Sequence, residues 1–110
     1  MPNRESLGEF EQLVLLAVAR LGEAAYGVSI CHEIKEQTGR NVSRGAVYIT
    51  LDRLEHRGYI RTWLADPTPE RGGKSKRLCA MEPTGARALI ESRETLERMW
   101  RGLDPALGGL

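Results

Sequence analysis

Four side chains stand close enough in sequence to act together: Arg44, Tyr48, Ile49 and Arg53 are spaced four, one and four residues apart. On a helix that spacing keeps them on one half of the surface. Arg44 offers a rigid fork of donors that fits the edge of guanine, Tyr48 and Ile49 can meet thymine methyls or phosphates, and Arg53 can pair with a phosphate backbone. A second basic group follows in Arg71-Gly-Gly-Lys-Ser-Lys-Arg77. Its glycines allow close approach to a partner, and its cations suit phosphates or a narrow minor groove. The chemistry open to both groups is recognition of a polyanion by charge and shape. The residues assigned to duplex DNA on this basis are Ser43, Arg44, Gly45, Tyr48, Ile49, Arg53, Lys74, Lys76 and Arg77.

Bond-making chemistry lacks its residues. Cys31-His32-Glu33 offers three metal-ligand types, but neighbours on a helix point in different directions and no second ligand group lies nearby in sequence. No metal and no cofactor is expected. Gly73-Lys74-Ser75 matches the end of a nucleotide phosphate loop, yet Thr68 stands where that loop needs a glycine, and a strand follows rather than a helix. No nucleophile and base are paired, so the chain does not read as an enzyme. Aromatic content of 5% leaves few platforms for stacking single-stranded bases. Cys79 reads as strand packing rather than an oxidant sensor, because nothing marks a low-pKa thiol.

These groups need elements to hold them. Phe10, Leu13, Val14, Ala17, Val18 and Leu21 recur at helical spacing and predict a first helix over residues 8–21. Leu15, Leu16 and Ala19 fall off that stripe, which predicts a helix buried on two sides, one of them against another subunit. A second helix is expected over residues 27–38, with Ile30, Cys31 and Ile34 on one face and Gly39 as its left-handed cap. Ser43 caps a third helix whose inward stripe is Ala46, Val47, Leu51 and Leu54, and Gly58 ends it. Its opposite face presents Gly45, Tyr48, Ile49, Asp52, Arg53 and His56. Arg57 and Arg61 read as phosphate clamps or solvent charges, and Tyr26 as a packing residue. Residues 59–64 and 76–81 then predict a hairpin with a basic loop. Pro83 opens a final helix in which Leu89, Leu96 and Leu103 repeat every seven residues. With Met99 and Trp100 they make a narrow seam for a partner helix. The expected dimer interface is therefore Leu15, Leu16, Leu89, Leu96, Met99, Trp100 and Leu103.

At 110 residues the chain makes one compact domain. We divide it into residues 1–82, a winged helix-turn-helix DNA-binding unit, and residues 83–110, a dimerisation helix with a fraying tail. The fold class is mainly α with a small β-hairpin. Net charge is only +1, but residues 40–77 carry nine basic and four acidic side chains, a balance of +5 against −4 elsewhere. A basic middle between acidic ends is the pattern of a chain that meets phosphate on one face. It argues against the alternative, a winged helix used only for protein contacts. Two cysteines are too few for a disulfide scaffold and fit reduced thiols in the cytoplasm. The apolar run over residues 13–19 is too short and too acidically flanked for a leader or a membrane span.

Ala25-Tyr26-Gly27, Gly45-Ala-Val-Tyr48 followed by Leu51-Asp-Arg-Leu54 and Gly58, Glu70-Arg-Gly-Gly-Lys-Ser-Lys-Arg77, and Pro83-Thr-Gly85 together resemble the PadR family of transcriptional regulators. The resemblance covers roughly residues 7–103. It implies a winged helix, operator binding as a homodimer built from the first and last helices, and usually repression. The single short C-terminal helix is similar to the compact branch of that family. Leu78-Cys79 stands where members often have an aromatic pair, and Met81-Glu82 where they have Leu-Thr, so wing packing is expected to differ. No residue identifies a small-molecule effector. Trp100 could stack on a planar one at the interface, but filling that interface is the reading preferred.

Overall fold

The computed structural model describes residues 6–65, 76–103 and 107. The described elements run α1 (Glu9–Leu21), α2 (Gly27–Thr38), α3 (Arg44–His56), β1 (Ile60–Leu64), β2 (Arg77–Met81) and α4 (Pro83–Trp100), with one 3-10 turn at Gly22–Ala24. This is a winged helix-turn-helix with an additional C-terminal helix. The tip of the wing, with Arg71 and Lys74, and the expected fraying tail lie outside the described residues.

α1 forms the centre. Gly8 N–H donates to Glu11 Oε1 at 2.9 Å, which satisfies one of the donors that a helix start leaves free. The helix then packs against α2, α3 and β2 at once. Its buried arc is correspondingly wide and takes in Val14, Leu15, Ala17 and Val18. This corrects one expectation: Leu15 is 0% exposed and belongs to the protomer's own core, not to a subunit interface. Of the second apolar side of α1, only Leu15 is covered from within, and Leu16 and Ala19 remain exposed. Leu16 alone of the pair faces out, at 46% exposure.

The turn between α2 and α3 is tied at several points. Gly39 takes φ +79, where a side chain would be strained, and its N–H closes on Lys35 O at 2.8 Å. Arg40 makes two bonds to the Glu9 carboxylate, at 2.9 and 3.2 Å, and so holds the turn against the start of α1. Ser43 Oγ accepts from Ala46 N–H at 3.0 Å and starts α3. Val47, Leu51 and Leu54 then reach the core with Ile30 and Ile34 of α2. Burial of each such side chain contributes about 1.5–3 kcal/mol.

β1 and β2 pair antiparallel from Ile60↔Met81 to Leu64↔Arg77. Their inner face brings Ile60 and Cys79 into the core. A bridge between Tyr26 and Leu78 adds a third, very short strand, anchored by Cys79 N–H on Ala25 O at 3.0 Å. α4 starts hard against the turn that precedes β1. Glu82 N–H donates to Tyr59 O at 2.9 Å, and Thr84 Oγ1 to Gly58 O at 2.5 Å. Its first half leans on α1 and adds Ala88 and Leu89 to the core edge. From Arg93 onward every residue of the helix is exposed. An 18-residue helix is about 27 Å long, so its last two turns project past the body. The helix ends at Trp100, and Leu103 sits in the following turn with its N–H on Trp100 O at 2.8 Å. Among the described residues no helix is long and apolar enough to cross a membrane.

Candidate nucleic-acid interface

α3 buries Val47, Thr50, Leu51 and Leu54. The rest of its circumference is open: Arg44, Gly45, Tyr48, Ile49, Asp52, Arg53, Glu55 and His56 are all exposed. The face read from the sequence is therefore one continuous surface. Arg44 and Arg53 mark its two edges, at the first and third turns, and neither guanidinium has an acidic partner among the described residues. Ile49 is 61% exposed between them. An isolated apolar residue framed by uncommitted arginines has no stabilising role within the protomer.

Tyr48 is held more firmly than its position on this face implies. Its ring lies over the start of α2, where a Cβ on Gly27 would come within 2.7 Å of the ring and its hydroxyl. Gly27 thus makes room for Tyr48, and Tyr48 joins the two helices of the motif while leaving 38% of its surface exposed. Ser43 spends its hydroxyl on the helix cap. Lys76, at the root of the wing, stands with its ammonium 4.5 Å from the centre of the Tyr26 ring. This cation–π contact aligns the lysine without neutralising it.

Of the seven described cations in the basic middle, four are already committed. Arg77 pairs with Asp52 at 2.8 Å and Glu55 at 3.1 Å, which fastens the wing to α3 rather than offering a free charge. Thr62 Oγ1 donates to Glu55 at 2.7 Å and strengthens the same joint. Arg57, read as a phosphate clamp or solvent charge, instead reaches Glu11 at 3.3 Å and lies over the Tyr59 ring. Arg61 pairs with Glu82 at 2.8 Å, and Arg40 with Glu9. Charge counting alone missed this, although one signal was available. Glu11 falls on the buried arc of α1, and a buried carboxylate demands a cation. Among the described residues, the uncommitted cations of the region are Arg44, Arg53 and Lys76.

Neither thiol is prepared for chemistry. Burial pushes the Cys79 thiol up to about 11 and raises that of Cys31 as well. The described residues contain no group of three side chains able to hold a metal ion. At pH 8 only about one Cys79 in a thousand is thiolate. We therefore expect Cys79 to react with a disulfide reagent only as the fold opens, and Cys31, half-buried, to react first. Equal rates for the two in the native protein would contradict the burial of Cys79. Folding favours the neutral thiol, so this contribution to stability is complete below the ordinary thiol range and fades as pH rises towards 11.

Comparison with known families gives a match to the transcriptional regulator PadR-like family over residues 15–91. The chain belongs to this family. It is a transcriptional regulator, of a family that is not one of enzymes. Solved structures share the fold at low identity. A PadR-like transcriptional regulator from Bacillus cereus is 18% identical over 89% of this chain and 90% of its own, with a TM-score of 0.70. A PadR family regulator from Eggerthella lenta is 23% identical over 90% and 86%, at 0.69. PadR of Bacillus subtilis, solved in complex with operator DNA, is 20% identical over 74% of this chain and 46% of its own, at 0.63. A comparison with curated protein sequences finds no match.

In this PadR-like chain the expected interface residues divide in two. Leu15 lies in the core, and Leu89 is half-buried at its edge. Leu16, Leu96, Met99, Trp100 and Leu103 are exposed, with Met99 at 72%. Leu16 borders an apolar groove of about 340 Å³ between α1 and α2, lined also by Leu13, Ala17, Ala19 and Ile34. Ile90 of α4 is exposed too, and the heptad reading did not include it.

Proposed function

We propose that this regulator binds duplex DNA as a homodimer and represses transcription from an inverted-repeat operator. The observation that carries the reading is the open face of α3, with Arg44 and Arg53 unpaired at its edges and the wing fastened alongside. A face of that width fits a major groove, and Lys76 places the base of the wing near phosphate. Residues 1–82 form the binding unit in this reading, and residues 83–110 supply the pairing helix. Exposed Leu16, Leu96, Met99, Trp100 and Leu103 support a second copy as partner, since a projecting apolar helix end is poorly stable alone. Two copies related by a dyad would read half-sites about one helical turn apart, or a multiple of it.

The test is selection of bound duplexes from a random pool, followed by titration of the selected and a scrambled duplex. Arg44→Ala should cost about 1–3 kcal/mol on the selected duplex and much less on the scrambled one. Lys76→Ala should weaken both alike and reduce the salt slope by about one. The same expectation attaches to Lys74, outside the described residues. Failure to bind any duplex at low ionic strength would overturn the reading and leave a module for protein contacts.

A further inference from the structure

We propose that Gly45 is the point where the α3 backbone comes closest to DNA, against a base-pair edge, and that its missing side chain is required by the duplex rather than by the fold. The inference rests on the reading above and assigns this residue the role of setting how deeply α3 seats in the groove.

Glycine on a helix is unfavourable relative to alanine, because it loses more backbone freedom on folding. Such a residue ordinarily has a reason inside the protein. Among the other described glycines, Gly22, Gly39, Gly58 and Gly102 take a positive φ, Gly27 and Gly85 have a neighbour that fills the space of a Cβ, and Gly8 stands outside its helix as the N-cap. Gly45 has none. It is helical, its φ is not positive, and a Cβ built on it meets nothing within 4 Å. It is exposed, in the first turn of α3, and at about 100° per residue it points midway between Arg44 and Arg53. The open face is thus lowest at its leading turn, beside the Arg44 side chain and ahead of Tyr48 and Ile49 in the next turn. Ala46 N–H is taken by the Ser43 cap, while Gly45 N–H precedes the first intrahelical bond and remains a free donor at the helix start. A depression at the leading turn of the helix, with a cation beside it, fits a base-pair edge at the groove floor, where even one methyl group would hold the helix away.

Two opposite effects are expected from one substitution. Gly45→Ala should raise Tm by about 2–4 °C, because alanine is the better helix former and nothing obstructs it. It should weaken binding to the selected duplex by about tenfold, and to scrambled duplex by less than about twofold, since non-specific binding does not need the seated helix. Gly45→Leu, with a longer side chain that is still a good helix former, should lose more on the selected duplex without losing Tm. Unchanged affinity for the selected duplex in both variants overturns the inference, as does equal loss on both duplexes, which would place the contact on the phosphate backbone. A fall in Tm for Gly45→Ala also overturns it, because the fold itself would then need the glycine. Arg44→Ala on the same duplexes separates this from the underlying reading: loss there with none at Gly45 removes only the role of Gly45.

Discussion

Leu96→Glu should turn the protein into a monomer and cut its affinity for a two-fold symmetric duplex by at least about a hundredfold. The last two turns of α4 carry Leu96, Met99 and Trp100 on one side, and Leu103 follows in the terminal turn, all exposed. A helix end of this kind is stable only when its apolar side is covered. In a dyad-related pair Leu96 would occur twice near the axis, and each glutamate would bring an unpaired charge into the seam. Burying such a charge costs on the order of several kcal/mol. Loss of the dimer separates the two recognition helices, and the gain from tethering two weak half-site contacts, on the order of 10²–10⁴, disappears with it. Sedimentation of the two proteins at micromolar concentration measures the first effect, and titration of full and half sites the second. Glu94 projects about 160° away from Leu96, so Glu94→Lys should leave the dimer intact. A monomeric unmutated chain would remove the dimer from the proposal altogether.

Gly85→Ala should destabilise the fold by about 3 kcal/mol, with a fall in Tm of more than about 10 °C. A Cβ at this position would overlap the Tyr59 carbonyl oxygen and press on Met81 Cγ at 3.1 Å. The obstacle is backbone and has little room to yield, because Tyr59 O already accepts from Glu82 N–H. Relief requires α4 to move away at its first turn, which gives up that bond and the Thr84–Gly58 bond together. Each lost bond adds about 0.5–1.5 kcal/mol. Thermal denaturation of Gly85→Ala beside Thr84→Ala measures the clash separately from the hydroxyl bond. Helix propensity alone gives the opposite sign, so a neutral or stabilised Gly85→Ala would mean that α4 does not sit on this turn as described. Gly45 and Gly85 thus form a pair: both are helical glycines, and the same substitution is expected to raise stability at one and lower it at the other.

Element order was legible from local rules. The apolar spacing in α1 and α3, the glycine cap after α2, the Ser43 cap and Pro83 each depend on a few neighbouring residues, so α2 falls at Gly27–Thr38 as read, and α3, read as running from a Ser43 cap to Gly58, spans Arg44–His56. The outward face of α3 was legible for the same reason, since one helix has only one period. The β-rich stretch and the basic glycine loop marked the wing, and the combined motifs marked the family.

The use to which each charge and each apolar face is put required the tertiary structure. Arg57 and Arg77 look in sequence like any other cation of the basic middle. Only the approach of α1 and of the wing to α3 gives them Glu11, Asp52 and Glu55 as partners and removes them from the free positive face. Leu15 and Leu16 look alike off the α1 stripe, but the elements packed around α1 cover the first and leave the second open, which its own periodicity does not reveal, so one is core and the other surface. Gly27, Gly45 and Gly85 are the same residue with three different neighbours: a tyrosine ring, empty space and a carbonyl oxygen. Periodicity reports which way a side chain points from its own element. What it meets there depends on elements distant in sequence, and that meeting decides whether a residue stabilises the fold or remains available to a partner.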